Sequence, residues 1–206
     1  EEASEPLLPR RADDEVGVRD PRGVEAGGEH PFRDLLRSDL PVRRLGGKAA
    51  GLFLAAKVVA RSTEYHDVLG DIRIPRSWHI PSDGILDFIH HNDLEDVYTR
   101  KYTDPDRVRL DYPYIVQLFK NSFFSADILR GLSDVLDDLS DRPIIVRSSS
   151  LLEDRLGAAF SGKYKSLFLA NAGTKRERLN ALTDAIAEVY ASVFSPDPLE
   201  YRAQRG

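Results

Sequence analysis

The sequence predicts a mixed α/β domain in which a mixed or antiparallel sheet is flanked by helices. Three observations carry that expectation. Residues 144–146 form an apolar run opened by Pro143, which reads as a strand entering at a sheet edge, and residues 164–169 form a second run rich in aromatic and aliphatic side chains. On both sides of this pair, apolar residues recur three and four positions apart, the spacing of amphipathic helices. The two strands are joined by a long connection. Hairpin loops usually hold about 2–5 residues, and a much longer one inside a compact domain is more often functional.

The connection contains Arg147, Ser148, Ser149, Ser150, Glu153, Asp154, Arg155, Gly157, Ser161, Gly162 and Lys163. That composition suits a phosphate group. Arginine offers a planar fork of donors, serine offers a hydroxyl, and glycine lets backbone N–H groups come close to an anion. The same residues also fit a plain surface loop in which Arg147 pairs with Glu153 or Asp154.

A chain of 206 residues fits one domain, or one domain with an arm. Residues 1–31 are charged and rich in Pro, Gly and Ala, and read as a flexible arm or linker. The folded part is expected over residues 32–206, where Phe32, Leu35, Leu36 and Leu40 begin a packed pattern. A net charge of -5 argues against a nucleic-acid binder, which needs a basic face. No run of eighteen apolar residues and no signal-peptide pattern occur, so no membrane span is expected. Without cysteine there is no disulfide, thiol nucleophile or Cys-based zinc site, a composition compatible with the reducing cytoplasm. Methionine is also absent and the first residue is Glu1, so the sequence is expected to lack its natural start.

Taken in order, Arg43-Arg44-Leu45-Gly46-Gly47-Lys48 leads into a helical pattern with an apolar stripe of Ala49, Leu52, Phe53, Ala56, Val59 and Ala60. Lys48 then sits in a first turn, where unpaired N–H groups and the positive end of the helix dipole disfavour a lysine unless an anion visits. Taken alone, these residues fit a plain turn into a helix better. They are not a Walker A loop, because Val42 stands where that motif needs glycine and Ala49 where it needs Ser or Thr.

Residues 72–80, with Pro75 inside, read as a short edge strand, and Trp78 as core. Ser82 is placed to cap a helix carrying Ile85, Leu86 and Ile89, and the adjacent His90 and His91 point apart, a poor arrangement for chelation. Residues 93–102 and 113–121 read as helices separated by Asp104-Pro105-Asp106, with Tyr112, Tyr114, Phe119, Phe123 and Phe124 as core. Ser125 caps a helix bearing Ile128, Leu132, Val135, Leu136 and Leu139. Thr174 and Glu177 form a capping-box pattern before a helix with Leu179, Leu182, Ile186, Val189, Tyr190 and Val193, which Pro196 stops. Asp197-Pro198 reads as the start of a last helix.

Two motifs stand in a fixed order: Gly46-Gly47-Lys48-Ala49-Ala50-Gly51-Leu52, then Val146-Arg147-Ser148-Ser149-Ser150 followed by Glu153-Asp154 and Gly157-Ala158-Ala159-Phe160-Ser161-Gly162. Ile74-Pro75-Arg76-Ser77-Trp78 lies between them, and Tyr190-Ala191-Ser192-Val193-Phe194 and Tyr201-Arg202 follow. Over roughly residues 32–206 this set resembles the nucleotide-binding domain of the pyruvate phosphate dikinase and phosphoenolpyruvate synthase family, which rifampicin phosphotransferase and the plant glucan water dikinases share. The resemblance implies the N-terminal lobe of an ATP-grasp type fold, whose two lobes clasp ATP. It implies that Lys48 and Arg147 contact the ATP phosphates and carry the catalytic role. It further implies that Ser148, Ser149, Gly157, Ser161, Gly162 and Lys163 belong to the nucleotide site, with residues 157–163 covering the triphosphate.

The sequence departs from the family at Gly162-Lys163-Tyr164, where the usual ending is Gly-Gln-Gln, and at Ser150, where alanine is more usual. In the family, the adenine pocket and the acidic Mg²⁺ ligands lie after the point corresponding to Gly206. The phosphohistidine signature Gly-Gly-x-Thr-Ser-His-Ala and a pyruvate-binding barrel do not occur here either. The resemblance therefore implies the ATP-binding portion of a larger phosphotransferase, partnered by a second lobe and a phosphohistidine domain of its parent chain. The resemblance also implies ATP and Mg²⁺ as cofactors, with the metal ligands outside this segment. Such a parent moves a phosphoryl group from ATP to a histidine and on to an acceptor such as pyruvate. The alternative is a catalytically silent, nucleotide-sensing or partner-binding domain of the same fold.

Overall fold

A computed structural model describes residues 47–62, 66–69, 71–72, 75–149 and 162–203. The arm over residues 1–31, the residues Phe32, Leu35, Leu36 and Leu40, and the site candidates Gly157 and Ser161 lie outside the described residues. The helices are α1 (Gly47–Arg61), α2 (His66–Leu69), α3 (Gly84–His91), α4 (Pro105–Lys120), α5 (Ala126–Leu139), α6 (Lys175–Ala191) and α7 (Pro196–Ala203). Two 3-10 segments, Glu95–Tyr102 and Ser192–Phe194, complete the helical part. Strands β1 (Ile144–Arg147) and β2 (Ser166–Leu169) pair antiparallel. The fold is thus mixed α/β, with a two-stranded antiparallel sheet and flanking helices, as the sequence predicts. No helix among the described residues is long and apolar enough to cross a membrane.

Strand alternation sorts the hairpin into two faces. The pairs Ile144–Leu169 and Val146–Leu167 lie on the inner, half-buried face, and Ile144, Val146 and Leu169 pack against the helical core. The pairs Ile145–Phe168 and Arg147–Ser166 lie on the exposed face. The core itself is helical and aromatic. Phe119 of α4 is fully buried and stacks at tilted angles on Phe88 at 5.6 Å and Phe194 at 5.9 Å between ring centroids. Leu132 and Leu136 of α5 and Leu182 and Ile186 of α6 close the same cluster.

The helix ends follow their sequence signals closely where a short polar side chain is available. Ser125 accepts from the Ile128 N–H at 3.4 Å and starts α5. Thr174 and Glu177 form the full capping box of α6: the Glu177 N–H donates to Thr174 Oγ1 at 3.3 Å, and the Thr174 N–H donates to Glu177 Oε2 at 2.8 Å. Donation from the Thr174 backbone, and then from its hydroxyl, holds the Glu177 carboxyl below its ordinary pKa. Thr174→Ala is expected to lower stability by about 1 kcal/mol. The contribution from Glu177 is present above the ordinary carboxylate range and lost as pH falls through the depressed value. Urea unfolding at neutral and at acid pH measures both.

Six expectations are corrected. Residues 75–80 form no strand: Pro75 and Pro81 lack an N–H, and the segment is held instead by Arg76, which donates to the Asp138 carbonyl at 3.2 Å and pairs with its carboxylate at 2.6 Å. Trp78 is half-buried there rather than enclosed in the core. Helix α3 is preceded by Asp83 instead of Ser82, because the Gly84 N–H closes a turn onto the Pro81 carbonyl at 3.0 Å.

Asp104-Pro105-Asp106 opens α4 rather than separating two helices. The Asp104 carboxylate accepts from the Asp106 N–H at 3.0 Å, Pro105 occupies the first turn, and Pro113 is absorbed inside the helix. Tyr114 on α4 is 67% exposed and Phe123, beyond the end of that helix, is 75% exposed, so only Phe119 and Phe124 of the five aromatics named there are buried. The predicted 93–102 helix is a 3-10 segment from Glu95, since Asp93 adopts φ 53 and cannot open an α-helix.

Candidate functional site

Helix α1 begins at Gly47, places Lys48 in its first turn and has no acidic residue there. Its apolar stripe turns inward: Ala49 is buried and Leu52, Ala56 and Val59 are half-buried, while Leu54 and Val58 are exposed. A helix this short of N-terminal acceptors needs one for its first N–H groups. Gly46, the preceding residue, has no side chain to offer. The acceptor comes from 100 residues away, where Ser149 Oγ takes the Ala49 N–H at 2.9 Å. Ser149 thus does from a distance what an N-cap serine does locally. Its hydroxyl proton remains available to a second acceptor, since a hydroxyl carries one donor and two lone pairs.

This one hydrogen bond fixes the relation between the two motifs. Lys48 adjoins Ala49, and Arg147 stands two residues before Ser149 at the end of β1. Arg147 projects from the exposed face of the hairpin opposite Ser166. Among the described residues, no ion pair or hydrogen bond engages its guanidinium. Pairing with Glu153 or Asp154, the plain-loop alternative, lies outside the described residues. Ser148 is half-buried between Arg147 and Ser149.

The returning chain enters at the same end of the hairpin, because β2 starts at Ser166, the cross-strand partner of Arg147. Gly162 adopts φ 80, a conformation open to glycine at no steric cost. Lys163 Nζ lies over the Tyr201 ring of α7 at 5.5 Å from its centroid. Tyr164 is buried, which gives a physical reason for the departure from the family's second glutamine: this side chain serves packing. The Lys165 N–H donates to Ser192 Oγ at 3.2 Å, and its Nζ bonds Glu188 at 2.7 Å. That hydrogen bond raises the Lys165 pKa and ties its charge to the helical body.

The structure therefore gathers Lys48, Ser149, Arg147 and the Gly162-Lys163 turn at one end of the hairpin. Gly157 and Ser161 remain outside the described residues. Tyr201 and Ser192 stand in the sequence only as members of the Tyr201-Arg202 and Tyr190–Phe194 motifs. Nothing in their spacing announces that one meets Lys163 and the other the Lys165 amide. Among the described residues, no three His, Asp or Glu side chains gather into a possible metal site, so the Mg²⁺ that the resemblance implies finds no ligand set there. The donors present, an ammonium, a guanidinium, a hydroxyl and a helix N-terminus, suit an oxyanion.

Comparison with protein families gives one result: the model for the pyruvate phosphate dikinase AMP/ATP-binding domain matches residues 42–206. Neither the curated proteins nor the solved structures give a significant match. The family match spans most of the sequence and contains every site residue placed above; the chain belongs to the pyruvate phosphate dikinase AMP/ATP-binding domain family and carries the ATP-binding part of such an enzyme.

Proposed function

We propose that the chain is the first lobe of an ATP-grasp type clasp that holds the triphosphate of ATP between the start of α1 and the end of β1. The carrying observation is the hydrogen bond from the Ala49 N–H to Ser149 Oγ, which brings the Lys48 turn beside the Arg147 strand end. Lys48 and Arg147 neutralise the phosphates, and Ser148 and Ser149 donate to their oxygens. Gly157, Ser161, Gly162 and Lys163 close over the nucleotide. Phosphoryl transfer depends mainly on positioning and on neutralising spreading negative charge, the work these groups are equipped for.

The parent enzyme passes the phosphoryl group from ATP to a histidine carrier and on to an acceptor such as pyruvate. Its second lobe supplies the adenine pocket and the ligands for the Mg²⁺ that accompanies ATP. A reducing cytoplasm is the setting that a chain without cysteine fits.

The test compares the 206-residue segment with its full-length parent. The parent is expected to form an acid-labile phosphohistidine from ATP. The segment alone is expected to bind MgATP too weakly for calorimetry at micromolar concentrations, since half a clasp leaves base and metal without partners and exposed charges are screened. Micromolar binding by the segment would contradict the two-lobe reading. A parent that binds ATP without forming phosphohistidine would point to the nucleotide-sensing alternative.

A further inference from the structure

We infer that Tyr201 is a positioning residue of the nucleotide site, holding the ammonium of Lys163 where it meets the ATP phosphates. This rests on the proposal that the site binds ATP, and adds a residue to it.

Lys163 replaces a glutamine of the family pattern, so this site carries a full charge where the family pattern has a neutral amide. A lysine in a turn has four rotatable bonds and about 2 kcal/mol of rotamer entropy, so an unsupported ammonium is a poor fixed ligand. Here the support is built on both sides. The backbone is fixed by the buried Tyr164 and by the Lys165 N–H on Ser192 Oγ at 3.2 Å. The side chain is fixed by the Tyr201 ring, 5.5 Å from Nζ, within the range of a cation–π contact. Tyr201 belongs to α7, which starts at Pro196 right after the buried Ser192–Phe194 segment, so the ring is carried by the core rather than by a loop.

The position matters because of the hairpin register. Lys163 stands three residues before Ser166, the cross-strand partner of Arg147, and so shares the end of the hairpin where Arg147 and Ser149 meet the start of α1. Neighbouring Lys165 is already bonded to Glu188, which leaves Lys163 as the cation of this turn directed by a neutral ring instead of a carboxylate. A ring holds a cation without neutralising it, and a phosphate can then be its counterion.

The experiment measures dissociation constants for ATP and AMP in the full-length protein carrying Lys163→Ala, Tyr201→Leu, Tyr201→Phe or the Lys163→Ala/Tyr201→Leu pair, with Lys48→Ala in parallel. Lys163→Ala and Tyr201→Leu are each expected to weaken ATP binding about tenfold, the scale of one hydrogen bond to a charged group. The double variant should be no weaker than either single one. Tyr201→Phe, which keeps the ring, should bind like the parent. The loss should be larger for ATP than for AMP, which a general packing defect would not produce. Full ATP affinity in Tyr201→Leu, full affinity in Lys163→Ala, additive losses in the pair, or equal losses for ATP and AMP would each overturn the inference. If Lys48→Ala also leaves ATP binding unchanged, the failure belongs to the nucleotide reading itself.

Discussion

Arg147→Ala in the full-length protein is expected to lower ATP-driven phosphorylation by about a hundredfold or more while leaving the unfolding midpoint unchanged. The size follows from removing one preorganised donor from a site where charge spreads in the transition state. Stability should hold because Arg147 is exposed at the end of β1, and the strand is anchored by Ile144 and Val146 on its other face. Arg147→Lys tests the chemistry more finely. A point charge is kept but the planar fork is lost, so an intermediate rate is expected. Lys48→Ala should produce a loss of similar order. It should not harm α1, since a lysine in a first turn opposes the helix dipole. Radiolabel transfer from ATP and thermal unfolding of the same samples decide the matter. Unchanged phosphorylation in both variants would remove the proposed site.

Much of what builds the candidate site has local signals in the sequence. The start of α1 at Gly47-Lys48, the strand ending in Arg147 and the capping box at Thr174 and Glu177 each declare themselves within a few residues. The hairpin was also readable, since alternation fixes which side chains share a face. Contacts between remote segments were not. No pattern says that Ser149 caps a helix through an N–H 100 residues earlier, because a missing N-cap side chain announces only a vacancy and not its occupant. The same applies to Tyr201 under Lys163.

Pro75 and Pro105 were both read as punctuation, yet Pro105 opens α4 because Asp104 precedes it with a carboxylate aimed at two N–H groups. Tyr114 falls on the exposed side of α4, and Phe123 lies beyond the end of that helix at Lys120.

Among the described residues, Asn171→Ala is expected to be the most destabilising polar substitution, at about 3 kcal/mol. Asn171 is 7% exposed, and its side chain ties the turn between α5 and β1 to α6. Its Nδ2 donates to the carbonyls of Ser140 at 2.8 Å and Arg142 at 2.9 Å, in the turn between α5 and β1. Its Oδ1 accepts from Arg178 Nε of α6 at 2.9 Å. Arg178 in turn donates to the carbonyls of Leu136, at 2.8 Å, and Ser140, closing the end of α5. Alanine takes the partner from Arg178 Nε and from the Arg142 carbonyl, while the Ser140 carbonyl keeps Arg178, in a partly buried place where an unmade bond costs more than a made one contributes.

The backbone adds a second, separable effect. Asn171 adopts φ 55, tolerated by asparagine and disfavoured by alanine. Asn171→Gly removes the same hydrogen bonds but fits that φ, so it should be less damaging than alanine by about 1 kcal/mol. Denaturant unfolding of both variants separates the network from the strain. A loss below about 1 kcal/mol in the alanine variant would mean that water replaces the network at no cost. Asn171 sits beyond Leu169, at the end of the hairpin away from Arg147. The folded fraction of either variant should therefore keep its ATP affinity, making stability and nucleotide binding two independent measurements on opposite ends of one hairpin.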